Sequence, residues 1–65
     1  MQISVNGKSR EIEAGATVEQ LLGDLCLKGP LAVELNRKVC PKRLHSETVL
    51  NGGDVIEIVT IVGGG

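Results

Sequence analysis

The sequence contains no phenylalanine, tyrosine or tryptophan among its 65 residues. Proteins that bind single-stranded nucleic acid stack bases on aromatic rings, so their absence argues against that class. The formal net charge of −1 provides no overall attraction to a polyanion. The N-terminus has neither a basic segment nor a long apolar one, and no apolar run approaches the roughly 20 residues of a membrane span. The sequence therefore predicts a cytoplasmic protein that binds neither nucleic acid nor membrane.

Metal-binding and catalytic residue types are also scarce. Cys26, Cys40 and His45 lack the close spacing and the four ligands of a structural zinc site, so no metal site is predicted. The two cysteines could pair, but a reducing compartment favours free thiols. Cys26 is interpreted as a small buried hydrophobe at the margin of a helix, and His45 as a surface or turn histidine without a nucleophile to serve. No catalytic residue is assigned.

A chain of this length forms one small domain. About 60% of the surface of such a chain is buried on folding, which limits the core to one sheet covered by a helix and leaves no room for an ordinary substrate pocket. We expect the domain to comprise residues 1–62, followed by a flexible glycine tail, 63–65. This size predicts a protein that is not itself an enzyme, and a monomer when free.

The first half of the sequence predicts a β-hairpin and a helix. Strands at Gln2–Val5 and Ser9–Glu13 flank Asn6-Gly7, a strong hairpin signal. Thr17-Val-Glu-Gln20 fits a capping box, and Gly29-Pro30 is predicted to end the helix. Between these two signals, apolar residues recur at helical spacing on one face: Val18, Leu21, Leu22 and Leu25.

The second half predicts three further strands. Leu31–Leu35 alternates, Asn36-Arg37 turns the chain into a short strand at Lys38–Cys40, and one helical or 3₁₀ turn is expected near residues 42–45. The last strand, after the turn at residues 51–54, is apolar at nearly every position, which places it inside a mixed sheet. The fold class is therefore α+β, with a mixed four- to five-stranded sheet covered by one main helix.

The parity of this last strand divides its side chains between two faces. Ile56 and Ile58 are predicted to face the helix. Val59 and Ile61 then lie on the outer face, either as a small apolar docking patch or covered by the domain's own loops. A second possible docking patch is the basic run that contains Arg37 and Arg43; its alternative is a solvated turn region.

Six segments are informative together through their order and spacing. They are Met1-Gln-Ile with Asn6-Gly7, Gly15-Ala-Thr-Val-Glu-Gln-Leu-Leu22, Ala32-Val-Glu-Leu-Asn36, Val39 with Pro41, Gly53-Asp54-Val-Ile-Glu-Ile-Val and Val62-Gly-Gly-Gly65. In these segments the chain resembles the ThiS family of sulfur carrier proteins over its whole length. These proteins have a ubiquitin-like β-grasp fold, which the resemblance implies here.

The resemblance implies a role in thiamine thiazole biosynthesis. An E1-like adenylating enzyme (ThiF-like) would activate the C-terminal carboxylate of Gly65 with ATP, and a persulfide from a sulfur donor enzyme would convert it to a thiocarboxylate. Thiazole synthase (ThiG-like) would then take the sulfur. Gly63 and Gly64 would thread the partner's channel, with Val62, the outer apolar patch and the basic run contacting the partners. The carrier itself would bind no cofactor.

Three alternatives share parts of this pattern. A MoaD-like carrier for molybdopterin would use the same tail, although this chain is shorter than expected and lacks aromatic residues. A ubiquitin-like modifier would differ only in its acceptor. A TGS-like interaction module would not need the tail, so deletion of Gly64-Gly65 should leave its partner binding intact.

Overall fold

The fold consists of five strands, one α-helix and one 3₁₀ turn. A computed structural model describes residues 1–27 and 29–61. The predictions for Val62 and for the tail, Gly63 to Gly65, lie outside the described residues. The elements are β1 (Gln2–Val5), β2 (Lys8–Glu11), α1 (Val18–Asp24), β3 (Leu31–Leu35), β4 (Lys38–Cys40), the 3₁₀ turn Lys42–Leu44 and β5 (Val55–Thr60).

The sheet is mixed and has the order β2-β1-β5-β3-β4. Strand β5 is parallel to β1 and antiparallel to β3, while β1–β2 and β3–β4 are antiparallel hairpins. A strand with neighbours on both sides must be apolar on its covered face and have its backbone groups paired, which suits the β-branched sequence of β5. This arrangement confirms the mixed sheet and the interior position of the last strand.

The first hairpin has the expected turn but a shorter return strand. Asn6 and Gly7 both have positive φ, 51° and 81°, as a two-residue hairpin turn requires. Strand β2 ends at Glu11 rather than at Glu13. The prediction was wrong because Glu13 already starts a turn: its carbonyl accepts the Ala16 N–H at 3.2 Å, and Gly15 has φ +86°.

Helix α1 begins as predicted. The Thr17 hydroxyl accepts the Gln20 N–H at 3.2 Å, and the Gln20 side chain accepts the Thr17 N–H at 2.9 Å, which completes the capping box. Val18, Leu21 and Leu22 are buried against the sheet. No helix of the described residues is long and apolar enough to cross a membrane.

The helix ends at Asp24, earlier than the predicted end at Gly29-Pro30. The residue after its C-cap, Cys26, was expected to be buried. Cys26 is exposed and has φ +56°, the left-handed conformation usual for a residue that follows a helix. Its N–H donates to the Gly23 carbonyl at 3.0 Å, and the Leu27 N–H donates to the Leu22 carbonyl at 3.1 Å. These two bonds form a Schellman motif, so the interpretation of Cys26 as a buried hydrophobe is wrong.

The core lies between α1 and the inner face of the sheet. Its centre consists of side chains that are at most 1% exposed: Val18, Leu21, Val33, Leu50 and Ile56. Ile58 is 8% exposed, so the Ile56 and Ile58 face points toward the helix as predicted.

His45 lies in a turn, one of the two predicted places, but it is buried and not on the surface. Only 6% of it is exposed, and its Nε2 lies 3.0 Å from the Cys40 carbonyl oxygen. A carbonyl accepts, so Nε2 carries the hydrogen and donates it. The His45 carbonyl in turn accepts the Glu19 N–H at 3.0 Å, which ties the 3₁₀ turn to α1.

Replacement of His45 by alanine should lower the free energy of unfolding by about 1–3 kcal/mol, because the buried Cys40 carbonyl loses its side-chain donor. The urea midpoint measures this change. His45→Gln offers an amide donor at similar reach and should lose less. Equal losses in the two variants would contradict a role for this hydrogen bond.

Candidate functional site

The candidate site is built on β5, because this strand leads directly into the glycine tail. Ile61, the last described residue, donates its N–H to the Pro30 carbonyl at 2.9 Å, one step beyond the Leu31–Thr60 pair. On the β3 side of the strand, backbone pairing therefore continues as far as Ile61, which is four residues before Gly65. The sheet therefore fixes the position and direction of the chain up to Ile61.

The other edge of β5 is held by a side chain where β1 ends. The backbone pairing of β1 stops at the Asn6 N–H, which donates to the Ile56 carbonyl at 2.9 Å. Beyond it, the Asn6 side chain takes the place of a strand: its Oδ1 accepts the Ile58 N–H at 2.7 Å, and its Nδ2 donates to the Ile58 carbonyl at 3.2 Å. Asn6 thus serves both the hairpin turn and the tail-bearing strand.

A second asparagine holds the start of the same strand. Asn36 lies in the β3–β4 turn with φ 51°, and its Oδ1 accepts the Val55 N–H at 2.9 Å. Its Nδ2 donates to Asp54 Oδ1 at 3.0 Å. Side chains of the same type, one from each hairpin turn, therefore hold β5 at its start, Val55, and near its middle, Ile58.

The outer face of the sheet is open and partly apolar. Val39 is 72% exposed, Val59 is 62% exposed and Val55 is 44% exposed. Glu34 pairs with Val39 of β4 and with Glu57 of β5. The carboxylates of Glu34 and Glu57 therefore separate these valines from one another. The domain's own loops leave Val59 uncovered, so it is accessible to a partner as the patch hypothesis requires.

Ile61 is 53% exposed and borders a groove at the end of the sheet. The groove has a volume of about 860 Å³ and lies where α1, the start of β3 and the 3₁₀ turn meet. Its lining is largely apolar, with polar residues at the rim: Glu19, Leu22, Gly23, Leu27, Gly29, Pro30, Leu31, Lys42, His45 and Ile61. Val59 is not among these residues, so of the two members of the predicted patch only Ile61 borders the groove.

The basic run is divided by the fold. Arg37 lies in the β3–β4 turn, near the start of β5, whereas Arg43 follows β4 in the 3₁₀ turn. Strand β4 separates them, and β5 ends on the Arg43 side of the sheet. A single docking surface that contains both arginines would have to extend along the whole of β4.

Histidine, cysteine and acidic side chains are the residue types that bind metal ions, and the described residues include several of them. Among residues 1–27 and 29–61, no three His, Cys, Asp or Glu side chains are arranged to hold a metal ion. Cys26 and Cys40 are both free thiols, as predicted. A second, polar cleft of about 410 Å³ lies between α1 and the loop before it, with Glu11, Glu13 and Asp24 at its edge.

Sequence reasoning missed the groove. It depends on the early end of α1, where Leu22 and Leu27 are brought together by a Schellman motif with cysteine, not glycine, in the left-handed position. A helix continued to Gly29 would have filled this space. The only local sign was Leu27, an apolar residue beyond the last helical repeat.

Several known proteins are similar to this chain. A thiazole synthase from Paramagnetospirillum magneticum is 41% identical over 66 residues, which cover the whole chain but only 20% of that protein. The chain therefore spans about one fifth of the length of this relative. The uncharacterized protein ycf40 of Porphyra purpurea is 35% identical over 66 residues, which cover 93% of that protein.

A solved structure shows the same fold at full length. The crystal structure of the thiamine biosynthesis protein ThiS from Geobacter metallireducens matches with a TM-score of 0.85 and 30% identity, with 100% of each chain covered. This match confirms the ubiquitin-like β-grasp fold. The model of the ThiS family matches residues 3–65, nearly the whole sequence. The chain belongs to the ThiS family.

Proposed function

We propose that this protein is a sulfur carrier for thiazole formation in thiamine biosynthesis, with the C-terminal carboxylate of Gly65 as the reacting group. The observation that carries the proposal is the geometry of β5, a central strand held on both edges that leads directly into three glycines. Family membership and the similarity to a thiazole synthase support it. The protein is then a carried substrate, and its partners supply the catalytic groups.

The proposed chemistry has two stages. A carboxylate oxygen of Gly65 attacks the α-phosphorus of ATP on an E1-like enzyme, and pyrophosphate leaves. The terminal sulfur of a persulfide then attacks the acyl carbon, and AMP leaves. A thiol reduces the resulting S–S bond and releases the thiocarboxylate, which thiazole synthase consumes. ATP is used by the partner, and the carrier binds no cofactor of its own.

Glycine suits the tail because it has no Cβ. Three residues extend at most about 10 Å, so the carboxylate reaches a reaction centre only if the partner's surface lies close to the end of β5. Gly63 and Gly64 let a narrow channel close around the backbone. In this proposal Val59, Ile61 and Val62 contact the partner around the tail, and Arg37 and Arg43 add long-range attraction to an acidic surface.

The direct test is to treat the protein with ATP, the E1-like enzyme of its host and a sulfur source. Tandem mass spectrometry of the C-terminal peptide should show oxygen replaced by sulfur at Gly65. The mass change must be localised to this peptide, because oxidation of Met1, Cys26 or Cys40 adds nearly the same nominal mass as replacement of oxygen by sulfur. A chain without Gly64-Gly65 is the control and should stay unloaded.

The proposal would be overturned if Gly65 were not activated by an adenylating enzyme that is shown, in the same assay, to load another carrier protein. Partner binding that survives deletion of Gly64-Gly65, together with an inert terminus, would identify an interaction module instead. Transfer of the loaded tail to lysine side chains would identify a protein modifier.

A further inference from the structure

The groove beside Ile61 has the properties of a docking site for an apolar segment. Leu22 is only 9% exposed and forms its floor, while Leu27 and Leu31 are half-buried in its walls. The described residues provide no aromatic side chain to fill a space of about 860 Å³. Apolar walls of this kind gain free energy when a partner's apolar side chain displaces water from them.

The position of the groove relative to the tail determines what covers it. Pro30 and Ile61 line the groove and share the backbone hydrogen bond that ends the ladder. In the proposed function Gly65 reacts inside a partner, and only four residues separate it from Ile61. Four extended residues reach at most about 14 Å. A partner that holds the carboxylate must therefore come within about 14 Å of Ile61, which lines the groove.

We propose that the groove receives one segment of thiazole synthase, led by a large apolar side chain, when the tail enters that enzyme. This inference rests on the proposed function. Thiazole synthase is the occupant because a similar domain forms one fifth of the Paramagnetospirillum enzyme. Tethering of the two parts in one polypeptide is expected where they must dock repeatedly. The exposed Lys42 at the rim can pair with a carboxylate of the same segment.

Gly23 allows the groove to be blocked without disturbing the core. It lies in α1, is exposed and lines the groove, and a Cβ built on it has no heavy atom within 4 Å outside its chain neighbours and the backbone of its own helix. Gly23→Phe places a ring in the groove, whereas the control Val49→Phe places a ring at an exposed residue that does not line the groove. Ile61→Ala, on the opposite wall, is a second variant that enlarges the groove instead of filling it.

The experiment is calorimetric titration of purified thiazole synthase from the same host with each variant. We expect Gly23→Phe to raise Kd about tenfold or more, as removal of one central contact does. Val49→Phe should bind like the unaltered protein. Ile61→Ala should weaken binding in the same direction. Thermal melts establish that all three variants are folded.

Binding of Gly23→Phe with an unchanged Kd would overturn the inference. The inference would also be overturned if Gly23→Phe or Ile61→Ala bound thiazole synthase normally but was no longer loaded by the adenylating enzyme. The groove would then bind the adenylating enzyme instead. A failure of the proposed function itself gives a different result: the unaltered protein would never acquire sulfur on Gly65, whatever its affinity for thiazole synthase.

Discussion

Addition of one glycine after Gly65 should lower the rate of sulfur loading by about 100-fold or more. The extra residue moves the terminal carboxylate by about 3.5 Å along an extended tail. Misplacement of a reacting group by as little as about 1 Å can cost a factor of about 100 in rate. Loading is measured as the thiocarboxylate formed per minute, by mass spectrometry, at a fixed concentration of adenylating enzyme.

Gly64→Ala tests the width of the partner's channel rather than the length of the tail. The added Cβ should also stop loading, because the tail is expected to thread a passage that fits glycine. Gly23→Ala is the matched control: it adds the same methyl group in open space on α1 and should load normally. Normal loading of the extended chain or of Gly64→Ala would show that the threading argument is wrong.

Leu50→Ala should lower the free energy of unfolding by about 2–5 kcal/mol, as truncation of a fully buried leucine does. Leu50 is 1% exposed, and its N–H donates to the Ala16 carbonyl at 2.8 Å. A 65-residue domain has a total stability of only about 3–10 kcal/mol. Much of the chain should therefore be unfolded near 37 °C, as circular dichroism against temperature will show.

The neighbouring residue provides the control. Val49 is 50% exposed and pairs with Thr17 in an isolated bridge, so its backbone contributes more than its side chain. Val49→Ala should change the stability by about 0.5 kcal/mol or less. A loss at Leu50 as small as the loss at Val49 would mean that the linker between the 3₁₀ turn and β5 contributes little to the core.

The order of elements and the faces of β5 could be predicted from the sequence because they depend on local rules. Asn6-Gly7 forms the expected turn, Thr17 and Gln20 complete the capping box, and Ile56 and Ile58 share one parity. Each of these signals spans fewer than about ten residues, and none conflicts with its neighbours.

The failures have a common physical cause: each depends on a hydrogen bond to a backbone carbonyl, an acceptor that every residue type supplies and that residue types therefore do not reveal. Cys26 has a left-handed conformation normally given to glycine because the backbone carbonyls of α1 accept its N–H and that of Leu27. His45 is buried because a carbonyl of β4 accepts its ring hydrogen. The groove, which follows from the first of these contacts, was equally invisible in the sequence.

The central place of β5 also bears on how the protein is made. In the described sheet the two hairpins, β1–β2 and β3–β4, share no ladder with each other and are joined through β5, the last of the five strands to be synthesised. A nascent chain cannot complete its sheet until Val55–Thr60 has left the ribosome, and only a few residues then separate it from the glycines. A product truncated before β5 would contain two separate hairpins, which are marginally stable alone. Such a fragment would present no folded surface to compete with the full-length carrier for its partners.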